Sequence, residues 1–313
     1  MTLPPAILLM GPTAAGKTAL ALTLHEHLPV DIVSVDSSQV YRGLDIGTAK
    51  PTAAEQARAP HRLIDIRDPA QPYSAAEFCA DAVREMNDIV QRGRIPLLVG
   101  GTMFYFRALD AGLSQLPSAS PPVRAQLRAE AERIGWTALH TRLAARDPES
   151  AARISVNDTQ RIQRALELIE LTGETPTVLN ARAKPAPPPF NFVHVALMPT
   201  DRAWLHSRIA ERFHAMLELG LINEVESLYR RGDLSPLLPS VRTVGYRQVW
   251  DYLTGRATYN QMVEQAIAAT RQLAKRQLTW LRQYQGKARV FDCREESSRL
   301  CLTFLLTRIQ ARS

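Results

Sequence analysis

The chain has 313 residues, 45% hydrophobic and 22% charged, with a formal net charge of +7. That composition excludes a disordered, collagen-like or disulfide-scaffold protein, and no run approaches the ~18 to 20 apolar residues that cross a bilayer. At about 150 residues per domain the length suggests two domains. Three cysteines, Cys79, Cys293 and Cys301, without a C-x-x-C spacing fit a reducing cytoplasm and no structural zinc.

The apolar run Ala6–Met10 is too short for a signal-peptide core and reads as a buried strand. It runs into Gly11-Pro12-Thr13-Ala14-Ala15-Gly16-Lys17-Thr18, a G-x-x-x-x-G-K-[ST] match with a helical segment behind it. Strand, loop and helix in this order are what the motif needs mechanically. The glycines let backbone N–H groups curl around phosphate oxygens, the helix N-terminus adds its dipole, Lys17 adds a point charge, and the Thr18 hydroxyl can ligate magnesium.

Further strands are expected at Asp31–Val35, Leu63–Ile66, Ile95–Val99, Val193–Leu197 and Val290–Phe291, mostly unbroken apolar runs as in buried parallel sheets. A capping box, Ser74 to Glu77, opens a helix over Ala75–Gln91; Tyr73 and Phe78 are placed as a staple, and Gly93 ends it. Cys79 on that helix is expected to be buried. Two proline-rich stretches, Pro117-Ser-Ala-Ser-Pro121-Pro122 and Lys184-Pro-Ala-Pro187-Pro188-Pro189, read as extended linkers. About 60 residues of helical period lie between them. The fold class is therefore α/β: a P-loop-type core with a mostly parallel sheet flanked by helices, over residues 1–117 and 188–313. An all-helical insertion, residues 118–187, interrupts it.

Beyond the insertion, Asp201 caps a helix whose Leu205, Ile209, Phe213 and Met216 form a core stripe until Gly220 stops it. Tyr246 and Trp250 read as core aromatics, with base stacking as the alternative. Further on, Arg271, Lys275 and Arg282 fall within about 40° of one another on a helix, with Leu273, Trp280 and Tyr284 roughly opposite. A solvated basic face over a core stripe and an RNA-binding face both explain this pattern.

Charge is unevenly spread. Residues 1–122 carry 10 Lys+Arg against 12 Asp+Glu, residues 123–183 carry 9 against 8, and residues 200–313 carry 18 against 11, a local net of +7. A basic third on a near-neutral body suits a polyanion binder, since each cation can neutralise a phosphate and release a counterion.

A kinase or ATPase needs a second strand ending in a magnesium-binding Asp. The run Ile95–Val99 ends instead in Gly100-Gly101-Thr102, while Asp31–Val35 delivers Asp36 to a strand C-terminus. Ligands of open α/β sheets sit at those carboxyl ends, so Asp36, Thr102 and the phosphate loop should converge. Asp36 can hold magnesium, or accept a proton from a nucleophile attacking a diphosphate-bearing substrate. Spacing leaves both open. His61, before the Leu63–Ile66 run, is either a further site residue or a satisfied structural histidine.

Several blocks together resemble the bacterial tRNA dimethylallyltransferase (tRNA isopentenyltransferase) family. They are Gly11–Thr18, Val35–Tyr41 running into Asp45–Pro51, Leu98–Thr102, Asn157–Glu167, Arg242–Gln248 and Thr270–Arg282. The resemblance implies transfer of a dimethylallyl group from dimethylallyl diphosphate to the N6 amine of the adenosine 3′-adjacent to the anticodon, with Mg2+. It implies that Gly11 to Thr18 hold the diphosphate, that Asp36 is the general base and that Thr102 positions the amine; a phosphate loop with Lys17 and magnesium would stabilise the departing diphosphate electrostatically. It also implies that Arg124 contacts the tRNA. The matching tRNA-contact stretches are Asp36, Ser37, Ser38 and Gln39; Gln160, Arg161, Ile162, Gln163 and Arg164; Arg242, Thr243, Val244, Gly245, Tyr246 and Arg247; and Lys275, Arg276, Gln277, Leu278, Thr279, Trp280, Leu281 and Arg282. A cytoplasmic monomer with no membrane partner is expected. Eukaryotic members carry a C-terminal zinc finger; here no His follows Cys293 and Cys301, so no zinc site is expected. The competing readings are a P-loop nucleotide kinase or other ATP-binding ATPase, an isopentenyltransferase of free adenine nucleotides, and a non-catalytic RNA-binding protein.

Overall fold

A computed structural model describes residues 3–114, 116–182, 186–293 and 296–310, so Lys184 and Pro185 of the second proline-rich stretch lie outside the described residues. The chain divides into two compact units, Met1–Asp110 with Pro188–Ser313, and Ala111–Pro187.

The larger unit is built on six strands, β1 (Pro5–Met10), β2 (Val30–Val35), β3 (His61–Arg62), β4 (Ile95–Gly100), β5 (Asn191–Leu197) and β6 (Arg289–Phe291). Their order is β3-β2-β4-β1-β5-β6, and every pairing is parallel. Apolar residues run without a break along the central strands because both faces are covered. Ala6, Leu8 and Met10 of β1 enter the core on one face, Ile7 and Leu9 the core on the other. The helix Ala75–Gln91 starts at the Ser74–Glu77 capping box, and the helix Arg202–Glu218 starts at Asp201, whose carboxylate accepts from Ala203 N. Among the described residues no helix is long and apolar enough to cross a membrane.

One expected strand is displaced. β3 lies at His61–Arg62, ahead of Leu63–Ile66. Leu63 and Asp65 have φ of 63° and 57°, left-handed values that no pleated strand accommodates. Asp65 is turned this way to meet Lys50, whose buried ammonium lies 2.5 Å from both Asp65 and Asp45 and donates to Tyr41 O. Cys79 also departs from expectation. It packs beside the main core but is only partly covered.

The smaller unit comprises helices Pro121–Ile134, Trp136–Arg146, Pro148–Arg153, Thr159–Thr172 and Pro176–Arg182 around Leu127, Leu139, Leu143, Ile162, Leu166 and Ile169. Proline opens three of these helices at positions where no N–H is required. Asp147 ties two helix starts together, accepting from Ser150 N and from Thr177 N and Oγ1. Burial raises its pKa, but these hydrogen bonds outweigh it and hold the carboxyl at about 2.

Candidate functional site: a phosphate loop, a carboxylate and an arginine around one cavity

The C-terminal ends of β1, β4 and β2 open onto a cavity of about 560 Å³. β1 delivers the loop Gly11–Gly16, and the helix Lys17–His27 follows directly. Ala14 and Gly16 take φ of 63° and 83°, which turns the loop back on itself. No side chain caps that helix, so its first-turn N–H groups remain for a ligand.

Two β-strand spacings, about 10 Å, separate the ends of β1 and β2, with β4 between them. Asp36 at the end of β2 therefore faces the phosphate loop across a gap. Its Oδ1 accepts from Ser38 N at 2.8 Å and Gln39 N at 3.3 Å. Thr102, just beyond β4, stands between the two, and its Oγ1 accepts from Ser37 N at 3.0 Å. Gly100 has to be glycine here, because a Cβ would stand 2.0 Å from Val35 O on the neighbouring strand.

Asp36 is the one carboxylate among the described cavity-lining residues, whereas Lys17, Arg212, Arg242 and Arg276 all contribute cations. Lys17 Nζ donates to Pro12 O at 2.7 Å. Burial, with the Arg212 charge second, lowers its pKa to about 8, against the opposing pull of Asp36. Burial also lowers the pKa of Arg212, which Asp36 opposes and Arg208 reinforces. Among the described residues Arg212 has no ion pair within reach. A cavity that holds two cations short of countercharge is prepared for an anion.

The Lys17 shift has a measurable consequence. An anion on the loop restores the full charge of Lys17, so binding above pH 8 must take up a proton. Titration calorimetry with an alkyl diphosphate in two buffers of different ionisation enthalpy is expected to show uptake approaching one proton at pH 9 and almost none at pH 6.5. Affinity should fall by up to about tenfold per pH unit above 8. Buffer-independent heats at pH 9 would contradict this.

Other expected site residues separate into surface and scaffold. Ser37, Ser38, Arg242, Thr243, Val244, Gly245, Arg276 and Trp280 line the cavity, and Ser38 Oγ lies 3.3 Å from Thr243 Oγ1. Arg247, Lys275, Thr279 and Arg282 are exposed, and Leu278 is partly covered. Gln277, expected from its stretch as an RNA contact, lines the cavity and is also a brace. Its Oε1 accepts from Thr13 N and its Nε2 donates to Gly101 O, both at 2.9 Å, fixing the phosphate loop to the end of β4. Gln39 is similarly engaged, between Ser34 Oγ and the carbonyls of Thr48 and Ala49. Tyr246 is a core residue bonded to Glu224, and Leu281 is buried in the same core. Glu224 also accepts from the N–H groups of Asp45, Ile46 and Gly47, which anchors the loop behind Gln39. In the smaller unit Ile162 is core, Gln160 and Arg161 are exposed, and Gln163 Nε2 donates to Arg124 O. Arg124 and Arg164 both engage the fully buried Glu167.

Of the stripe expected at Leu273, Trp280 and Tyr284, Tyr284 is buried in the main core and Trp280 packs partly covered against it, whereas Leu273 does not belong to that core. Ala274, Gln277, Leu281 and Tyr284 are the buried set, while Leu273 and Trp280 line the cavity. His61 lines the cavity with Nδ1 on Ala59 O, and burial lowers its pKa. Arg212 escaped notice in the sequence, although it had a signal. It sits at helical spacing inside the apolar stripe of Leu205, Ile209 and Met216, where a charge has no packing role.

An open parallel sheet with a glycine-rich phosphate loop, and an isolated carboxylate facing it, defines a P-loop-type enzyme acting on a phosphorylated substrate. A sequence model of the family described as IPP transferase matches residues 39–284. A tRNA dimethylallyltransferase of Thioalkalivibrio sulfidiphilus is 60% identical over 90% of this chain and 88% of its own length. One from Bordetella avium is 57% identical over 94% of both chains. The crystal structure of the tRNA isopentenylpyrophosphate transferase of Bacillus halodurans superposes with a TM-score of 0.71 at 36% identity, covering 98% of this chain and 97% of that one. A eukaryotic dimethylallyltransferase acting on tRNA gives 0.76 at 25% identity, covering 94% and 75%. The chain belongs to the IPP transferase family.

Proposed function

We propose that this chain transfers a dimethylallyl group from dimethylallyl diphosphate to the N6 amine of the adenosine 3′-adjacent to the anticodon of tRNA, releasing diphosphate. The observation that carries the reading is the Asp36 carboxylate sharing one cavity with a phosphate loop and two under-compensated cations, Lys17 and Arg212.

The adenine amine is a weak nucleophile because its lone pair is delocalised into the ring. As N6 forms its bond to C1 of the dimethylallyl group, the C1–O bond to diphosphate breaks and the N6 proton passes to Asp36. Asp36 has an oxygen for this purpose, because its turn occupies Oδ1 and leaves Oδ2 to the amine. Thr102 Oγ1, held by Ser37 N, orients the amine. The loop N–H groups, Lys17 and Arg212 take up the charge that develops on diphosphate, and they do so preorganised.

A magnesium ion fits the donor set. The Thr18 hydroxyl lines the cavity without a hydrogen bond among the described residues, and Thr18 and Asp36 offer hard oxygen ligands. Thr18, with Asp36 in reserve, would hold the ion, which supplies Lewis-acid stabilisation of the diphosphate oxygens. The smaller unit and the stretches 242–247 and 275–282 are assigned to the anticodon stem-loop, gripping backbone phosphates while the target base is extruded at a cost of a few kcal/mol. A cytoplasmic setting accords with the free cysteines Cys79, Cys293 and Cys301.

Labelled dimethylallyl diphosphate, magnesium and unmodified tRNA are expected to yield labelled tRNA and free diphosphate, with AMP a poor acceptor. Unlabelled tRNA combined with γ-phosphate release from ATP would reverse the assignment in favour of a nucleotide kinase or ATPase.

A further inference from the structure

The helix Met103–Ala111 begins directly after Thr102 and buries Met103, Tyr105, Phe106, Ala108 and Leu109. Phe104 and Arg107 remain outside. They are three residues apart, hence neighbours on one helical face. Phe104 lines the cavity yet is 52% exposed, unlike Tyr105 and Phe106, the aromatic residues that follow it on the same helix. Arg107 lies 5.6 Å from the centroid of Trp280, which also lines the cavity. Among the described residues Arg107 has no ion pair and no hydrogen bond. A guanidinium laid over a ring keeps its N–H edge for an oxyanion. Next to the site stands an open aromatic face, with an uncommitted cation one helical turn farther along.

We propose that Phe104, Arg107 and Trp280 form a shelf for a nucleotide flanking the extruded adenosine, its base stacked on Phe104 and its phosphate on Arg107. This rests on the RNA-prenylation reading and deepens it. Two considerations favour RNA over the prenyl tail as the occupant. Half of the Phe104 side chain faces water, whereas a five-carbon chain needs an enclosed apolar surface. Its partner is a free cation, which nothing in an allylic tail requires. Exposed aromatics interleaved with arginine are the pattern of single-stranded RNA contact. The shelf also bears on base extrusion. Holding the flanking nucleotide prevents the target base from restacking on it, so part of the unstacking cost is offset beside the site.

The test uses the full-length protein and synthetic unmodified anticodon stem-loops, normal or abasic at either nucleotide flanking the target. Phe104→Ala is expected to weaken stem-loop binding by about 5- to 150-fold, the range for loss of one stacked base. That penalty should vanish with one of the two abasic RNAs. Phe104→Trp should keep or improve affinity. Arg107→Gln should lower the slope of log affinity against log salt by about 0.7, the single-strand value for one phosphate. Dimethylallyl diphosphate binding without RNA should be unaltered in each variant. The shelf is disproved by a Phe104→Ala penalty below twofold, by one that persists with both abasic RNAs, or by lost donor binding without RNA. Failure of the wild type to prenylate the normal stem-loop would instead reject the underlying function.

Discussion

Asp36→Asn is expected to lower the turnover of prenyl transfer by about 10²- to 10⁴-fold, the usual contribution of a positioned general base. Asparagine is the informative replacement. Its amide oxygen can take the place of Oδ1 and continue to accept from Ser38 N and Gln39 N, so the turn after β2 survives. Its NH₂ replaces Oδ2, the oxygen assigned to the amine proton, and cannot accept one. Removing the carboxylate charge also leaves Lys17 and Arg212 without their one opposing neighbour in the cavity. Diphosphate should therefore bind as well or slightly better, and the loss should appear in turnover alone. Single-turnover rates with saturating donor and tRNA, alongside donor binding by calorimetry, separate these effects. Turnover within threefold of the wild type would remove Asp36 from the reaction. A loss of donor binding as large as the loss of turnover would make it a magnesium ligand instead.

The parts of this site that were legible in the sequence are those fixed by local backbone rules. The phosphate loop follows from glycine spacing between a strand and a helix. Asp36 and Thr102 follow from the ends of apolar runs, because parallel strands buried on both faces leave no ambiguity about where a run stops. The features that the sequence does not show depend on tertiary partners. Leu63–Ile66 has the composition of a strand, and only the Lys50 pairing of Asp65 shows why the backbone turns there. On the helix Tyr259–Leu281 the expected stripe was rotated by roughly 60° from the buried one. Leu273 and Trp280 are the large apolar residues of the expected face. The buried positions are instead Ala274, small where the helix meets Ala14 of the phosphate loop, and Gln277, polar because it braces that loop. A helix packed against a functional loop need not present its greasiest face to it. Arg212 shows the converse, a charge in an apolar stripe that marks where the stripe borders a site.

Glu167→Ala is expected to destabilise the smaller unit by about 1.5–3 kcal/mol, the scale of losing charged hydrogen bonds; Arg124 and Arg164, left behind, are 37% and 31% exposed and regain water. The Glu167 side chain is fully buried and carries four hydrogen bonds: from Ser120 N at 2.7 Å, from Arg124 Nε at 2.9 Å and Nη2 at 3.1 Å, and from Arg164 Nη1 at 2.7 Å. Burial pushes its pKa up, but the Arg124 and Arg164 hydrogen bonds prevail and hold it below the ordinary carboxylate value. Its folded pKa is thus depressed, so its contribution is complete above the unfolded value of about 4.3 and is lost as pH falls through the folded value. The difference between wild type and variant should be full at pH 7 and shrink only in acid. Hydrogen exchange of peptides from residues 120–172 measures this within the unit, and a difference below 1 kcal/mol at pH 7 would refute it. Arg124 and Arg164 are consequently scaffold residues whatever they also do for RNA, and Arg124→Ala confounds the two roles. Arg124→Lys keeps the charge for a phosphate but cannot form the two-pronged contact with Glu167. If Arg124 serves tRNA chiefly by charge, Arg124→Lys should lose stability while retaining most of the stem-loop affinity of the wild type.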